Sequence, residues 1–126
     1  MSAAYVDASY LVAAALKEAT APMVHGRMAL HQQLLASNLA EAELLSACAR
    51  DEVALPQGWL GHIDWVHPDR ALTPELERVL GTGYLRGADL WHVAVALFVS
   101  PDPRGLTFLT LDARQRAVAA ALGFQT

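Results

Sequence analysis

Ala3-Ala4-Tyr5-Val6-Asp7-Ala8-Ser9-Tyr10 is the stretch on which the fold turns. Four apolar residues run into an acid, and an alanine- and leucine-rich segment follows. A short apolar run of this kind reads as a buried strand, and the segment from about Ser9 to Ala19 as a helix. The pattern returns near the other end. Leu106 to Leu111 reads as a strand ending at Asp112, and Ala113 to Leu122 as a helix stopped by Gly123.

Between these ends the same alternation continues. Pro22 suits the first turn of a helix carried by Met23, Met28, Leu30 and Leu34 to about Leu35, weakened but not ended by Gly26. Ala36 to Leu39 reads as a short strand or a passage from strand to helix, with Ser37 and Asn38 both good capping types. A helix over Leu39–Glu52 follows and ends before Pro56 and Gly58. Ile63-Asp64-Trp65-Val66 reads as a strand closed by Pro68. Thr73-Pro74-Glu75 opens a helix with a cap residue, a proline and an acid near the positive end of the dipole. That helix ends near Gly81-Thr82-Gly83. A second, from about Arg86 to Val99, is apolar on nearly every face and belongs at the centre. Pro101 to Gly105 is a loop. Strands alternating with helices predict an α/β fold: a single-domain, three-layer sandwich over residues 1–126 with a largely parallel central sheet. No repeat, linker or low-complexity segment interrupts it.

Composition narrows the class of protein. Hydrophobic residues make up 54% of the 126 and charged residues 17%, which excludes a disordered chain. Cys48 is the only cysteine, so neither an internal disulfide nor a thiolate zinc site is available, as expected in a reducing cytoplasm. Mean hydropathy is positive, at +0.26. Yet the densest apolar run, Leu90 to Val99, is about half the length of a spanning helix and contains His92. The first residues lack the basic segment of a signal peptide. A cytoplasmic protein with no membrane partner is expected. The formal net charge of −4 argues against a broad basic surface for nucleic acid. Binding RNA would require metal ions, a few local arginines or a basic partner protein.

The carboxylates carry the chemistry. Asp7 and Asp112 occupy one structural slot, the end of a buried strand where a helix begins. In open parallel sheets ligands bind beyond the carboxyl ends of the strands. Either acid alone is equally well read as a helix cap. Asp89, in Leu85-Arg86-Gly87-Ala88-Asp89-Leu90-Trp91-His92, opens an otherwise apolar helix, where it caps or binds. A buried carboxylate needs donors, a proton or a cation. Several converging carboxylates repel one another and raise each other's pKa unless a divalent ion sits among them. Oxygen-only ligation suits Mg²⁺ or Mn²⁺. Glu41 and Glu43 compete for a further place, because residues two apart on a helix face nearly opposite ways. The helical wheel leaves that choice open.

These pieces together resemble the PIN-domain family, particularly the VapC-type toxins of bacterial toxin–antitoxin pairs. The matching segments are Tyr5-Val6-Asp7-Ala8-Ser9, Ser37 to Leu45, Leu85 to Ala94 and Phe108 to Asp112, in the family's order along almost the whole chain. The resemblance implies a PIN-like fold and a metal-dependent endoribonuclease. Asp7, Glu43, Asp89 and Asp112 would be its catalytic, metal-holding acids, with Mg²⁺ or Mn²⁺ between them. Glu43 is preferred to Glu41 because the family's glutamate stands six positions after the residue matched by Ser37 and directly before a leucine. Ser9 and Thr110 match small polar positions lining the pocket. An RNA substrate, an antitoxin protein and a second copy of the chain are the partners implied. Two departures from the family stand out: the region from Asp51 to His62 is short where a further helix is common, which predicts a more open cleft on that side, and little chain follows Phe124 for a last edge strand.

Beside that reading stand plainer ones. Arg86, Arg114 and Arg116 lie near the acids in sequence, as RNA phosphate contacts or as solvated charge. His92, one turn after Asp89, reads as a packed side chain with one hydrogen bond, or else as a base or ligand. His25, His31, His62 and His67 have no metal-like spacing and read as surface. Trp59, Trp65 and Trp91 read as packing residues, with base stacking the alternative. Met23, Met28 and Leu30 form either core or a partner-binding face. A non-catalytic PIN-like scaffold binding RNA or protein is the alternative function. A phosphate-receiver domain shares the size and alternation, but it needs a lysine near the last strand, and the one lysine is Lys17.

Overall fold

The computed structural model describes residues 2–126, with Trp59 described by its backbone alone. The chain runs β1 (Ala3–Val6), α1 (Ala8–Ala15), α2 (Ala21–Met28), β2 (Gln33–Ser37), α3 (Asn38–Arg50), α4 (Gln57–Leu60) and β3 (Ile63–Val66). There follow α5 (Thr73–Thr82), α6 (Gly87–Val99), a 3-10 turn (Pro103–Gly105), β4 (Thr107–Leu109) and α7 (Ala113–Leu122). The strands form one sheet in the order β3-β2-β1-β4, every pairing parallel.

Successive residues of each strand supply opposite faces, so both sides of the sheet are apolar. Ala4, Val6, Ala36 and Leu109 join a first core with Leu11 of α1, Val24 of α2 and Leu44 of α3. Tyr5, Leu35 and Phe108 join a second core with Val79 of α5, Val93 and Leu97 of α6, and Val118 of α7. Tyr5 stacks on Phe108, with ring centroids 5.2 Å apart and an interplanar angle of 12°. The result is the expected three-layer α/β sandwich. No helix among the described residues is long and apolar enough to cross a membrane.

Strand order explains the layers. From β1 the chain steps to β2 and then to β3, and then returns past both to pair β4 with the far side of β1. Crossovers between parallel strands are right-handed, so reversing direction moves the connecting helices to the other face. The helices that leave the neighbouring strands β1 and β4 therefore diverge: α1 packs in the first core and α7 in the second. A crevice opens between them at the carboxyl ends of the strands.

Several expected boundaries are corrected. The helix expected to reach Leu35 stops at Met28, and Gln33–Ser37 is a strand. Leu30 and Leu34, four apart, imitate a helical stripe. Pairing with β1 overrides it, and Leu30 is left 76% exposed. Of the three residues read as one face, Met28 is core while Met23 and Leu30 are exposed. The strand expected over Leu106–Leu111 is Thr107–Leu109, because the Thr110 hydroxyl accepts the Asp112 amide and turns the chain toward α7. Thr73 lies inside α5 rather than capping it, although Pro74 keeps its place in the first turn. The short region from Asp51 to His62 holds the single turn α4. Beyond Phe124 the chain adds one parallel bridge, with Gln125 against Thr107. Trp65 and Trp91 pack against the first and second core respectively, and the side chain of Trp59 lies outside the described residues.

The stop of α7 was legible in one residue. Gly123 has φ 118°, and a Cβ there would stand 3.1 Å from Cγ of Pro103. Gly123→Ala should destabilise the protein by about 1–3 kcal/mol through backbone strain. A urea titration should show this as a lower midpoint with an unchanged slope.

Candidate active site

Register brings the site together. Val6 pairs with Leu109, and the Asp7 amide donates to the Leu109 carbonyl at 2.9 Å, so Asp7 and Thr110 leave the sheet side by side. Asp7 caps α1, its Oδ2 accepting from the Ser9 amide at 3.1 Å. Asp112 caps α7 in the same way, its Oδ1 accepting from the Gln115 amide at 2.7 Å. The capping reading is thus correct for both acids. It does not exhaust either, since a carboxylate has about four acceptor sites.

Asp7 is only 5% exposed. Its partners are few. Thr110 Oγ1 lies 3.3 Å away, but it has one proton and stands closer, at 2.6 Å, to Oε1 of Gln115. Asp7 Oδ1 is met by Gln115 Nε2 at 3.4 Å and by His92 Nε2 at 3.7 Å, both long. Asp7 thus has one close donor, the Ser9 amide, and three longer contacts.

Gln115 is fully buried and ties three elements together. Its amide nitrogen reaches Asp7 and also the Asp89 carbonyl at 3.2 Å, while its oxygen accepts from Thr110. Those partners fix which way the amide points. Ser9 completes the rim, its hydroxyl accepting from the Leu111 amide at 3.0 Å and lying 3.4 Å from Thr110 Oγ1. Ser9 and Thr110 thus stand beside the two capping acids, Ser9 through its amide on Asp7 and Thr110 through the Asp112 amide.

Asp89 stands in the first turn of α6, half-buried. Its pKa is raised, chiefly by burial and then by the charges of Asp7 and Asp112; Arg86 and His92 act in the opposite direction. The charges of Asp7 and Asp112 thus both reach Asp89.

Glu43 approaches from the other layer. On α3, Leu39, Glu43 and Ala47 form a half-buried stripe at four-residue spacing, and α3 touches α6. Glu43 Oε1 meets His92 Nε2 at 2.6 Å. Glu41 instead lines a separate groove with Leu44, Leu45 and Trp65. Of the two glutamates, Glu43 is the one that meets His92.

His92 is 1% exposed, and more than one hydrogen bond engages it. Its Nδ1 lies 2.9 Å from the Tyr5 hydroxyl and 3.1 Å from Ser37 Oγ. Burial holds the Tyr5 phenol far above its ordinary range, so it remains a hydroxyl able to donate. With Nδ1 accepting, Nε2 carries the proton and donates to Glu43. Ser37 also caps α3 through the Ala40 amide at 3.1 Å.

Tyr5, His92 and Gln115 were therefore underrated or missed. Tyr5 looked like strand filler, and His92 like packing. Gln115 gave no local signal beyond its place one turn into α7. Arg116 directs one guanidinium nitrogen to the Thr110 carbonyl at 2.8 Å, which gives it a structural role. Arg86 and Arg114 line a cavity with Asp89 and Asp112. Among the described residues no three His, Cys, Asp or Glu side chains already stand as a metal cage. The acids meet instead through Gln115 and His92. Neither a scan against protein-family models nor a search of curated proteins gives a match.

The raised pKa of Asp89 has a thermodynamic sign. The folded state holds this proton more tightly than the unfolded chain does. Stability from the protonated form is present below the ordinary carboxylate pKa and is lost as pH rises through the raised one. Asp89→Asn should raise the melting temperature at neutral pH, with the gain shrinking as pH falls toward 4. An equal or lower melting temperature at pH 7 would count against repulsion at this site.

Proposed function

We propose that this chain is a metal-dependent endoribonuclease of the PIN-domain, VapC type, acting in the cytoplasm as the toxin of a toxin–antitoxin pair. The observation that carries the chemistry is Asp7. It is a nearly buried carboxylate with one close donor, at the crevice between β1 and β4, and its charge reaches Asp89 together with that of Asp112. Such a donor set, all oxygen and all acidic, fits Mg²⁺ or Mn²⁺.

Asp7 and Asp89 would hold the cation, and Glu43 and Asp112 would complete the site directly or through water. When bound, the ion supplies charge neutralisation at a phosphate and a water of lowered pKa. The chain's own residues do the rest. Gln115 orients Asp7 and anchors the start of α6 through the Asp89 carbonyl. His92 holds the Glu43 carboxylate toward Asp7. The two helix N-termini, α1 behind Asp7 and α7 behind Asp112, favour negative charge at the crevice.

An antitoxin with a basic segment suits a chain of net charge −4 with an acidic crevice. That partner, like a second copy of the chain, follows from the family resemblance.

Purified protein should cleave single-stranded RNA with Mg²⁺ or Mn²⁺ and stop in EDTA. Asp7→Asn and Glu43→Gln should each lower the rate at least about a hundredfold. Glu41→Gln, in the separate groove, should leave it unchanged. Cleavage that survives EDTA or Asp7→Asn would sink the reading. RNA binding without hydrolysis in either metal would support the alternative, a non-catalytic scaffold.

A further inference from the structure

The chain has one lysine and eight arginines, and most of the arginines are engaged. Arg50, Arg70 and Arg104 pair with Asp51, Glu75 and Asp102. Arg27, Arg78 and Arg116 donate to the carbonyls of Thr126, Pro101 and Thr110. The side chains of Arg86 and Arg114 alone make no hydrogen bond or ion pair among the described residues, although the Arg86 charge reaches Asp89, and both line the same cavity. That cavity, about 340 Å³, is bounded by Tyr84, Leu85, Arg86, Asp89, Asp112 and Arg114.

Helix stability does not account for these two arginines. Arg86 is the N-cap residue of α6 and offers no side-chain cap, and Arg114 is in the first turn of α7. A cation is disfavoured at the positive end of a helix dipole. Tyr84 is equally uncommitted. It is 66% exposed, makes no side-chain hydrogen bond or ring contact among the described residues, and forms one wall of the cavity.

We propose that Tyr84, Arg86 and Arg114 form a subsite for one unpaired nucleotide of an RNA strand, beside the carboxylates. This rests on the nuclease reading of those carboxylates. The base lies against the Tyr84 ring, and the guanidinium groups take the phosphates on either side. An aromatic wall serves any base, because every base has a π-face. A-form duplex keeps its bases stacked and its major groove too narrow for a side chain to enter, so Tyr84 selects unpaired RNA. The net charge of −4 leaves little long-range attraction for a polyanion, which gives two local cations a large share of the contact.

The test is fluorescence anisotropy with a labelled RNA decamer of mixed sequence, single-stranded or annealed into a blunt duplex. It is run on the Asp7→Asn protein, so that cleavage does not consume the probe, and on the wild type in EDTA. Single strand should bind at least about tenfold more tightly than duplex. Tyr84→Ala should weaken single-strand binding about five- to 150-fold, the range of one base–aromatic stack, and Tyr84→Trp should restore it. The plot of log K against log salt should have a slope of about −1.4, set by two phosphate contacts on a single strand. Arg86→Met with Arg114→Met should bring that slope toward zero. Circular dichroism should show all variants folded, since none of these side chains makes a hydrogen bond or ion pair among the described residues. Equal affinity for duplex and single strand, or no effect of Tyr84→Ala, overturns the subsite. Mg²⁺-dependent cleavage indifferent to Tyr84 overturns the subsite and leaves the nuclease reading standing. Tyr84-dependent binding with no cleavage in either metal does the reverse.

Discussion

The parallel ladder between β1 and β4 is the constraint on which the site depends. Val6 opposite Leu109, extended by the bond from the Asp7 amide to the Leu109 carbonyl, puts two strand ends level. A slip of one residue would turn Asp7 and Thr110 to opposite faces of the sheet. The register is held by core residues that have nothing to do with chemistry. Tyr5 on Phe108 secures one face, and Val6 and Leu109 secure the other. The reversal of strand order then sends α1 and α7 apart and leaves the strand ends open to a ligand.

The crevice carries strain of an electrostatic kind. A protein selected for stability alone would not bring Asp89 within reach of Asp7 and Asp112, because their charges disfavour its ionised form. The fold offsets this with oriented donors: amides at helix N-termini and the Gln115 side chain. It does not offset it fully, since the Asp89 pKa stays raised. Sites that bind charge are expected to be unstable without their ligand in this way.

Buried polar side chains connect the two helical layers through the end of the sheet. Glu43 comes from the first layer and His92 from the second, and they meet at 2.6 Å with Tyr5 and Ser37 behind them. A buried network of this type is favourable only when its members are satisfied, and His92 uses both ring nitrogens. It therefore fixes the distance between α3 and α6 as well as the orientation of one acid. Arg116 is a similar case, a charge that looked available in the sequence but is held by the Thr110 carbonyl.

Local patterns were enough to read much of this protein. The buried strand ending at Asp7, the alternating strand over Ile63–Val66 and the bounds of α7 all follow from short-range composition. So does the α/β class. Asp7, Asp112 and Asp89 stood out because a carboxylate at the end of an apolar run is conspicuous without knowledge of its neighbours. The division of residues 22–37 into helix and strand was not legible, because pairing with β1 decided it against a helical spacing of leucines. Nor were Tyr5, Gln115 and the several bonds of His92, whose partners lie 87, 108 and 55 residues away in the chain. Side chains of that kind become a site only through strand register and helix placement. The sequence by itself determined which acids sit at strand and helix ends; the tertiary structure alone decided which neutral groups bind them together.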